Sequence, residues 1–267
     1  MTTAVADYEP GERISGVRDE VFVTPAPARL HRPDGTVIVH VLRPLSSDAF
    51  RLLRPIIEAF ASVRSPHVGG LIEAGYQADG EPPFAWYVTE DHGRGDLRGQ
   101  RDRRRVLLAV AAAARGVHAL HQAGLTHHGV SPTTVRPTSG GAVIDPPAFR
   151  AGSGDEGRIL DIVDAGVLDS VDPAVARGDP PSRASDLWSL GATLHQAITG
   201  RLLHPDLPGD EPIVALQRTA FEPIRMADDL EPALAAVVAS CLAPDPSDRP
   251  PTAAALADHL QTLVPQQ

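Results

Sequence analysis

The run Ser185–Ile198 constrains the fold of this 267-residue chain more than any other stretch. It predicts a helix that is closed by Gly200. Large apolar residues stand on most sides of that helix, at Leu187, Trp188, Leu190, Leu194 and Ile198. A helix with so little polar surface has to lie inside a domain. The sequence therefore predicts a globular core that is built around one central buried helix.

Composition agrees with an ordinary globular domain, since 42% of the residues are hydrophobic and 22% are charged. The net charge of −10 argues against nucleic acid or an anionic membrane as the main partner, because the surfaces that bind them are basic. The longest apolar run, Val106–Ala114, is too short to span a bilayer. The single cysteine, Cys241, excludes an internal disulfide. These features predict a soluble protein of the cytoplasm.

All 24 basic residues other than histidine are arginines, so the chain contains no lysine. No side chain can therefore act as a nucleotide-gripping or Schiff-base amine. Arginine is permanently charged and does not replace lysine in such roles.

Periodicity and turn residues outline the remaining elements. Short β-type runs are expected at Val21–Val23, Arg29–His31 and Thr36–Leu42, and helices at Asp48–Arg64, from Asp102 to Gly124, Asp229–Leu242 and Thr252–Val264. Asp102 and Thr252 are predicted N-caps, and Pro55 is expected to kink or restart its helix.

Three stretches resemble the bacterial Ser/Thr protein kinases. Asp172–Gly191 reads D-P-A-V-A-R-G-D-P-P-S-R-A-S-D-L-W-S-L-G, which is similar to the family's run before and into its central helix. Trp86–Leu97 resembles the family's hinge without a gap. Ala119–Val135 looks like the end of the long helix and the catalytic loop.

The resemblance implies an α+β, two-lobed protein-kinase-like fold. It would have a small β-rich N-lobe with one C-helix and a larger, mainly α-helical C-lobe. Residues 1–11 are expected to be a disordered tail, residues 12–91 the N-lobe and residues 92–267 the C-lobe, within one kinase-like domain.

The family's catalytic side chains are replaced at the matching positions of this sequence. The resemblance places the nucleotide-binding Lys, the C-helix Glu, and the Asp, Lys and Asn of the catalytic loop at His40, Ile56, Gly129, Ser131 and Thr134. Glu58 lies two residues from the Glu position, so a shifted pairing stays open. On this pattern the chain is predicted to be no enzyme.

The family's cofactor-binding positions are kept only in part, at Gly16, Thr89, Glu90, His92 and Asp145. Asp145 stands where the family's metal-binding Asp lies, but two prolines follow it. It is expected to serve either as a turn or cap residue or as a Mg²⁺ ligand. The sequence predicts no cofactor, with ATP and Mg²⁺ not bound.

Other matching positions have architectural roles in the family, at His127, Asp186, Trp188, Gly191 and Arg249. Arg249 is expected to pair with Asp172, Asp179 or backbone carbonyls, because a buried Arg without a partner is costly. No metal is expected, since neither Cys nor carboxylate completes a zinc set with His118, His121, His127 and His128.

The sequence therefore favours a pseudokinase, a scaffold or allosteric regulator in bacterial signalling. Its partner would be a protein, by analogy a kinase or a phosphopeptide-binding signalling protein. One alternative is a sensor that binds a nucleotide or another small molecule in the cleft without phosphotransfer. A further alternative is a divergent ATP-dependent transferase that uses different residues.

Overall fold

The structure is a computed structural model, and it describes residues 28–32, 35–42, 47–77, 84–93, 95–100, 102–147 and 165–265. The predictions for residues 1–11, for the strand Val21–Val23 and for the phosphate-covering position Gly16 lie outside these residues. The described chain forms two compact units. The first contains residues up to Arg64 together with Gly69–His92, and the second contains Ser65–Val68 and the described residues from Gly93 onward.

The first unit contains a four-stranded antiparallel sheet. Its strands are β1 (Ala28–Arg32), β2 (Gly35–Leu42), β3 (Leu71–Gln77) and β4 (Phe84–Glu90), in the spatial order β1-β2-β4-β3. Alternation along β2 separates two faces, because Val37 and Val39 are buried while Ile38 and His40 are half-buried on the other side. In the register of β2 and β4, Ile38 lies opposite Thr89 and His40 opposite Tyr87.

Helix α1 (Ser47–Ser62) belongs to the same unit and runs through Pro55 without a break. Leu53, Ile57 and Phe60 recur at helical spacing and form its buried face. The helix therefore packs through one stripe and leaves the remaining sides to solvent.

The second unit is mainly helical. It contains α2 (Arg103–Gln122), a hairpin of β5 (Val135–Thr138) and β6 (Gly141–Ile144), α3 (Ala165–Leu168), α4 (Pro173–Ala176), α5 (Arg183–Thr199), α6 (Pro212–Phe221), α7 (Pro232–Cys241), a short 3₁₀ turn (Pro246–Asp248) and α8 (Ala253–Thr262). Helix α2 packs against α8, β6 and α5, and α5 packs against α7. None of the described helices is long and apolar enough to cross a membrane.

Helix α5 is the buried helix that the sequence predicts, and residues from Ser185 to Leu194 lie inside the unit. Ser182 caps its N-terminus, and Gly200 ends it in the left-handed conformation at φ 69°. Gly191 lies at the closest approach to α7, because a Cβ there would come within 2.4 Å of the Cβ of Cys241. A side chain at this position would push the two helices apart.

The predicted α+β fold is confirmed, with a small antiparallel-sheet part followed by a helical part. The caps at Asp102 and Thr252 each accept a backbone hydrogen bond, as expected. Several elements were not predicted, namely the strands β3, β4 and β5 and the helices α3, α4 and α6. The predicted restart at Pro55 is wrong, because α1 runs from Ser47 to Ser62 with Pro55 inside it. Proline lacks an N–H, so the helix loses only the bond from residue 55 to the carbonyl of Arg51.

Candidate functional site

The loop that follows α2 is shaped by the buried carboxylate of Asp186. Oδ2 accepts hydrogen bonds from the backbone N–H of His127 at 2.8 Å and from Nε2 of His121 at 2.8 Å. Oδ1 accepts from the backbone N–H of His128 at 3.1 Å. His128 has φ 62°, a left-handed conformation that a non-glycine residue adopts only when its surroundings hold it. One residue at the start of α5, Asp186, therefore holds the backbone of the loop through two hydrogen bonds and the ring of His121 through a third.

Three of the replaced positions, Gly129, Ser131 and Thr134, lie in this loop. The side chains of Ser131 and Thr134 make hydrogen bonds to other residues of the loop. Thr134 Oγ1 contacts the carbonyls of Gly129 and Ser131 at 3.0 and 3.1 Å and accepts from the backbone N–H of Ser131 at 3.0 Å. The Ser131 hydroxyl, fully buried, lies 2.8 Å from Oγ1 of Thr133. A Cβ at Gly129 would meet only Nδ1 of His127, at 4.0 Å, so the position has room for a side chain.

His127 connects the loop to the residue after β6. Its Nε2 donates to the carbonyl oxygen of Asp145 at 2.8 Å, and its Nδ1 has no hydrogen-bond partner among the described residues. Burial lowers the pKa of His127, although the nearby charge of Asp186 opposes this effect. The ring is therefore neutral and carries its proton on Nε2.

Asp145 is held by its backbone and by one arginine. Its N–H donates to the carbonyl of Thr134 at 2.8 Å, and its carboxylate faces Arg136. Nε of Arg136 lies 2.9 Å from Oδ1 and 3.1 Å from Oδ2, and Nη2 lies 2.6 Å from Oδ2. This is the bidentate geometry that suits a guanidinium and a carboxylate. Both side chains stay partly open, with 21% of Arg136 and 25% of Asp145 exposed.

The first unit contains the other substituted positions. His40 stacks on Tyr87 with ring centroids 4.3 Å apart, and its Nε2 lies 3.2 Å from Oγ1 of Thr89. Burial lowers the pKa of His40 to about 4 and raises the pKa of Tyr87. His40 is therefore uncharged at neutral pH and supplies no cation here.

The two residues considered for the C-helix carboxylate do not face the core of their unit. Ile56 is 37% exposed on α1. Glu58 accepts from Nε of Arg54 at 2.7 Å, one turn earlier on the same helix. Glu58 therefore pairs with Arg54 on the exposed side of its own helix.

The hinge residues differ in exposure, because Thr89 is fully buried in β4 and Glu90 is exposed at the end of that strand. Glu90 contacts Gly70, whose N–H lies 3.5 Å from Oε2, while Nε2 of His92 lies 3.4 Å from the same oxygen. These residues are adjacent to one another within the first unit.

Arg249 pairs with Asp172 and with backbone carbonyls, so this prediction is confirmed. Nη1 lies 2.5 Å from Oδ2 of Asp172 and 2.8 Å from the carbonyl of Ala184, and Nε donates to the carbonyl of Ala243 at 3.0 Å. Its guanidinium also lies over the ring of Trp188, 5.1 Å from the centroid. Asp172 in turn caps α4 by accepting from the N–H of Ala174.

The four histidines around the loop each have a local role. Nε2 of His118 lies 3.3 Å from Nε2 of Gln122, His128 contacts Thr126, and His121 and His127 make the bonds described above. In the part of the chain that the structure describes, no three His, Cys, Asp or Glu side chains come together as a metal-binding group.

Sequence reasoning missed Arg136, which lies two residues beyond Thr134 on β5. No pairing of these two stretches was predicted. In the hairpin register Arg136 lies opposite Val143, which brings its side chain within reach of Asp145 two residues further on. It also missed the buried pair of Asp169 and His204, in which Nδ1 of His204 lies 2.9 Å from Oδ1 of Asp169. That carboxylate also accepts from the N–H groups of Leu203 and His204.

Fold and site together define the class: the chain is a bacterial Ser/Thr protein kinase-like domain. Among its relatives is the serine/threonine-protein kinase PknB of Mycolicibacterium smegmatis, 32% identical over 92% of this chain and 41% of the relative. PknB of Mycobacterium tuberculosis is 31% identical over the same shares. PknK of Mycobacterium tuberculosis is 30% identical over 74% of this chain and 18% of the relative.

This chain thus spans less than half the length of those relatives. No protein-family model matches it. The similarity over most of the chain nevertheless confirms the resemblance that the three sequence stretches indicated.

Two predictions are wrong by this comparison: that the chain is no enzyme, and that it uses no cofactor, with ATP and Mg²⁺ not bound. The relatives are named Ser/Thr kinases, which are enzymes that use ATP and Mg²⁺. The physical reason for the error is that the number of replaced residues does not determine how much activity remains. Losses within one cooperating site are not additive, and Asp145 is still present and partly exposed.

Proposed function

We propose that this chain is an ATP-dependent protein phosphotransferase domain of bacterial signalling, with a divergent set of site residues. It works in the cytoplasm, where ATP is made. The observation that carries the proposal is the carboxylate of Asp145, placed after β6 and 25% exposed. The names of the relatives that match 92% of the chain support the same activity.

The carboxylate of Asp145 fits one ligand position of a magnesium ion that is bound mainly by its nucleotide. Mg²⁺ takes oxygen ligands, and in such enzymes one or two carboxylates join the substrate phosphates and several waters. Asp145 offers a carboxylate on a backbone that is fixed on both sides, at its N–H by Thr134 and at its carbonyl by His127. The ion would neutralise charge on the transferred phosphoryl group.

The other residues would contribute mainly by positioning. Asp186 and His127 hold the loop that carries Gly129 and Thr134. Phosphoryl transfer depends chiefly on positioning and electrostatic stabilisation. Gly129 offers no side chain to accept the hydroxyl proton, and a general base contributes roughly 10²–10⁴-fold in rate. We therefore expect transfer that is slower than in an enzyme with a base by about this factor.

Radiolabelled ATP tests the proposal. The full chain, incubated with labelled ATP, Mg²⁺ and a generic acceptor protein, should transfer label slowly to the acceptor or to itself. Asp145→Asn should abolish the transfer, because a neutral amide is a poor ligand for Mg²⁺. The matched control is Asp245→Asn, since Asp245 is an exposed turn-capping residue of the same unit. Absence of label with the wild type, or equal label with Asp145→Asn, would contradict the proposal.

A second function, binding of a regulatory protein partner, is favoured by an apolar stripe on α6. Ile213 is 57% exposed and Phe221 is 75% exposed, although both are large and apolar. They lie eight residues apart on one helical face, with the exposed Gln217 between them. The opposite face is already used, because Ala215 packs against the buried residues Leu168 and Leu207.

Charges around the stripe indicate the kind of partner. Asp210, Glu211 and Glu222 are exposed at the two ends of α6. The basic residue of the helix, Arg218, is engaged with Glu222 and the carbonyl of Asp206. An apolar stripe with acidic ends suits an amphipathic, basic segment of another protein. It disfavours a symmetric contact with a second copy, which would bring like charges together.

The binding of an amphipathic helical peptide of Leu and Arg, measured by fluorescence anisotropy, tests this function. Phe221→Gln should weaken binding at least about tenfold, as expected for an aromatic anchor. Leu52→Gln is the matched control, since Leu52 is 66% exposed on α1 of the first unit. Equal weakening by both variants, or equal affinity for a peptide of Leu and Glu, would contradict it.

A further inference from the structure

We infer that Arg136 controls access of a divalent cation to Asp145: its guanidinium occupies the carboxylate and has to be displaced before the ion binds. The inference rests on the proposed function, and it adds a device that regulates the same site. The contact is built into the hairpin, because Arg136 lies on β5 and Asp145 directly follows β6.

Both oxygens of the carboxylate are engaged by the arginine. Nε contacts Oδ1 at 2.9 Å and Oδ2 at 3.1 Å, and Nη2 contacts Oδ2 at 2.6 Å. A guanidinium is charged at every accessible pH and presents its donors as a rigid fork. A divalent ion at the same oxygens would meet this positive charge at contact distance. The two cations therefore compete for one carboxylate.

The arginine can leave without moving the carboxylate. Two hydrogen bonds of 2.8 Å fix the backbone of Asp145. Its N–H donates to the carbonyl of Thr134, and its carbonyl accepts from Nε2 of His127. Strand β5 keeps its own place through pairing with β6, where Arg136 lies opposite Val143. A further contact, from Nη1 of Arg136 to the carbonyl of Gly95, is long at 3.5 Å. The exchange requires a rotation of the Arg136 side chain, while the backbone of both strands stays paired.

A nucleotide would make the exchange favourable. A guanidinium released from a carboxylate needs another anion, and phosphate oxygens match its fork as well as a carboxylate does. The phosphates would then take Arg136 while Asp145 takes the ion. Binding of metal and nucleotide is thereby coupled, and the metal alone binds weakly.

Manganese binding measures the competition directly, without activity. Mn²⁺ takes the same oxygen ligands as Mg²⁺, and the free ion is counted by electron paramagnetic resonance. The full-length chain should bind Mn²⁺ alone weakly, and Arg136→Met should tighten this binding roughly tenfold, on the scale of one charge-assisted hydrogen bond. Arg136→Lys keeps the charge without the fork and should lie between the two. Adding Asp145→Asn to Arg136→Met should remove the gain.

The outcomes separate this inference from the proposed function. If Arg136→Met and Arg136→Lys bind Mn²⁺ no more tightly than the wild type, the competition is wrong, and label transfer by the wild type keeps the proposed function. If the wild type transfers no label and no variant binds Mn²⁺, the proposed function fails and the inference fails with it. If Arg136→Met does not fold, as judged by circular dichroism, the Arg136→Lys comparison decides.

Discussion

Two of the Arg–Asp pairs in the second unit, Arg249–Asp172 and Arg136–Asp145, differ in burial and in what else the arginine contacts. Arg249 and Asp172 are 1% and 4% exposed, and Arg249 also contacts two backbone carbonyls and the Trp188 ring. Arg136 and Asp145 are 21% and 25% exposed, with a weak further bond to Gly95. The first pair is buried within the packing of the unit, whereas the second is partly open to solvent and leaves its carboxylate accessible.

The difference shows what an ion pair can contribute in each place. A buried pair has already lost its hydration, so removal of one partner leaves a charge without compensation. A partly exposed pair can exchange its partner for water or an ion at low cost. We therefore assign the first pair to stability and the second to binding.

The largest effect is expected at the buried pair. Arg249→Met should lower the free energy of unfolding by about 3–5 kcal/mol, because Asp172 would be left buried and unpaired. Urea denaturation at neutral pH measures this loss. The control is Arg201→Met, which removes an exposed pair with Asp229 and should cost less than about 1 kcal/mol. Similar losses in both variants would show that burial does not distinguish these pairs.

Much of the fold was predictable from the sequence because several elements have strong local signals. The caps at Asp102, Thr252 and Gly200 are local chemistry, and the apolar pattern of α5 requires burial wherever the helix lies. Helix α6 was missed because its exposed Ile213 and Phe221 blur the division into a polar and an apolar face. Strand β3 was missed because Gly75 and Glu73 weaken its strand signal.

The candidate site was less predictable, because its side chains act through contacts that spacing does not reveal. Matching positions located Asp145 and Asp186, and the residue types at the replaced positions suggested loss of function. The bond from Arg136 to Asp145 depends on hairpin register, and the lack of a partner for Nδ1 of His127 among the described residues depends on how the ring is buried. Neither is encoded in residue type alone.

A pH titration sharpens the comparison, because the neutral ring of His127 bonds the backbone carbonyl of Asp145 in the second pair. Burial lowers the pKa of His127 below its usual 6.5, so the unfolded chain takes up this proton at higher pH than the folded one. Its contribution to stability is therefore present above 6.5 and is lost as the pH falls below that value. His127→Asn should reduce the loss of unfolding free energy between pH 6.5 and 5.5 by up to about 1 kcal/mol.

The measurement is urea denaturation of the wild type and of His127→Asn at both pH values. Arg249→Met serves as the control, since it lowers stability at each pH without removing the titrating ring. An equal pH dependence in the wild type and in His127→Asn would mean that the buried ring does not oppose protonation.

The smallest effect on stability is expected at the partly exposed pair. Arg136→Met should change the free energy of unfolding by no more than about 1 kcal/mol, because water can solvate the freed carboxylate and the methionine keeps the aliphatic contacts of the stem. Urea denaturation beside Arg249→Met gives the direct contrast. A loss as large as that of Arg249→Met would make the second pair a structural one as well. Its arginine could then not exchange with a metal ion at Asp145, because the cost of displacing it would exceed what one carboxylate returns.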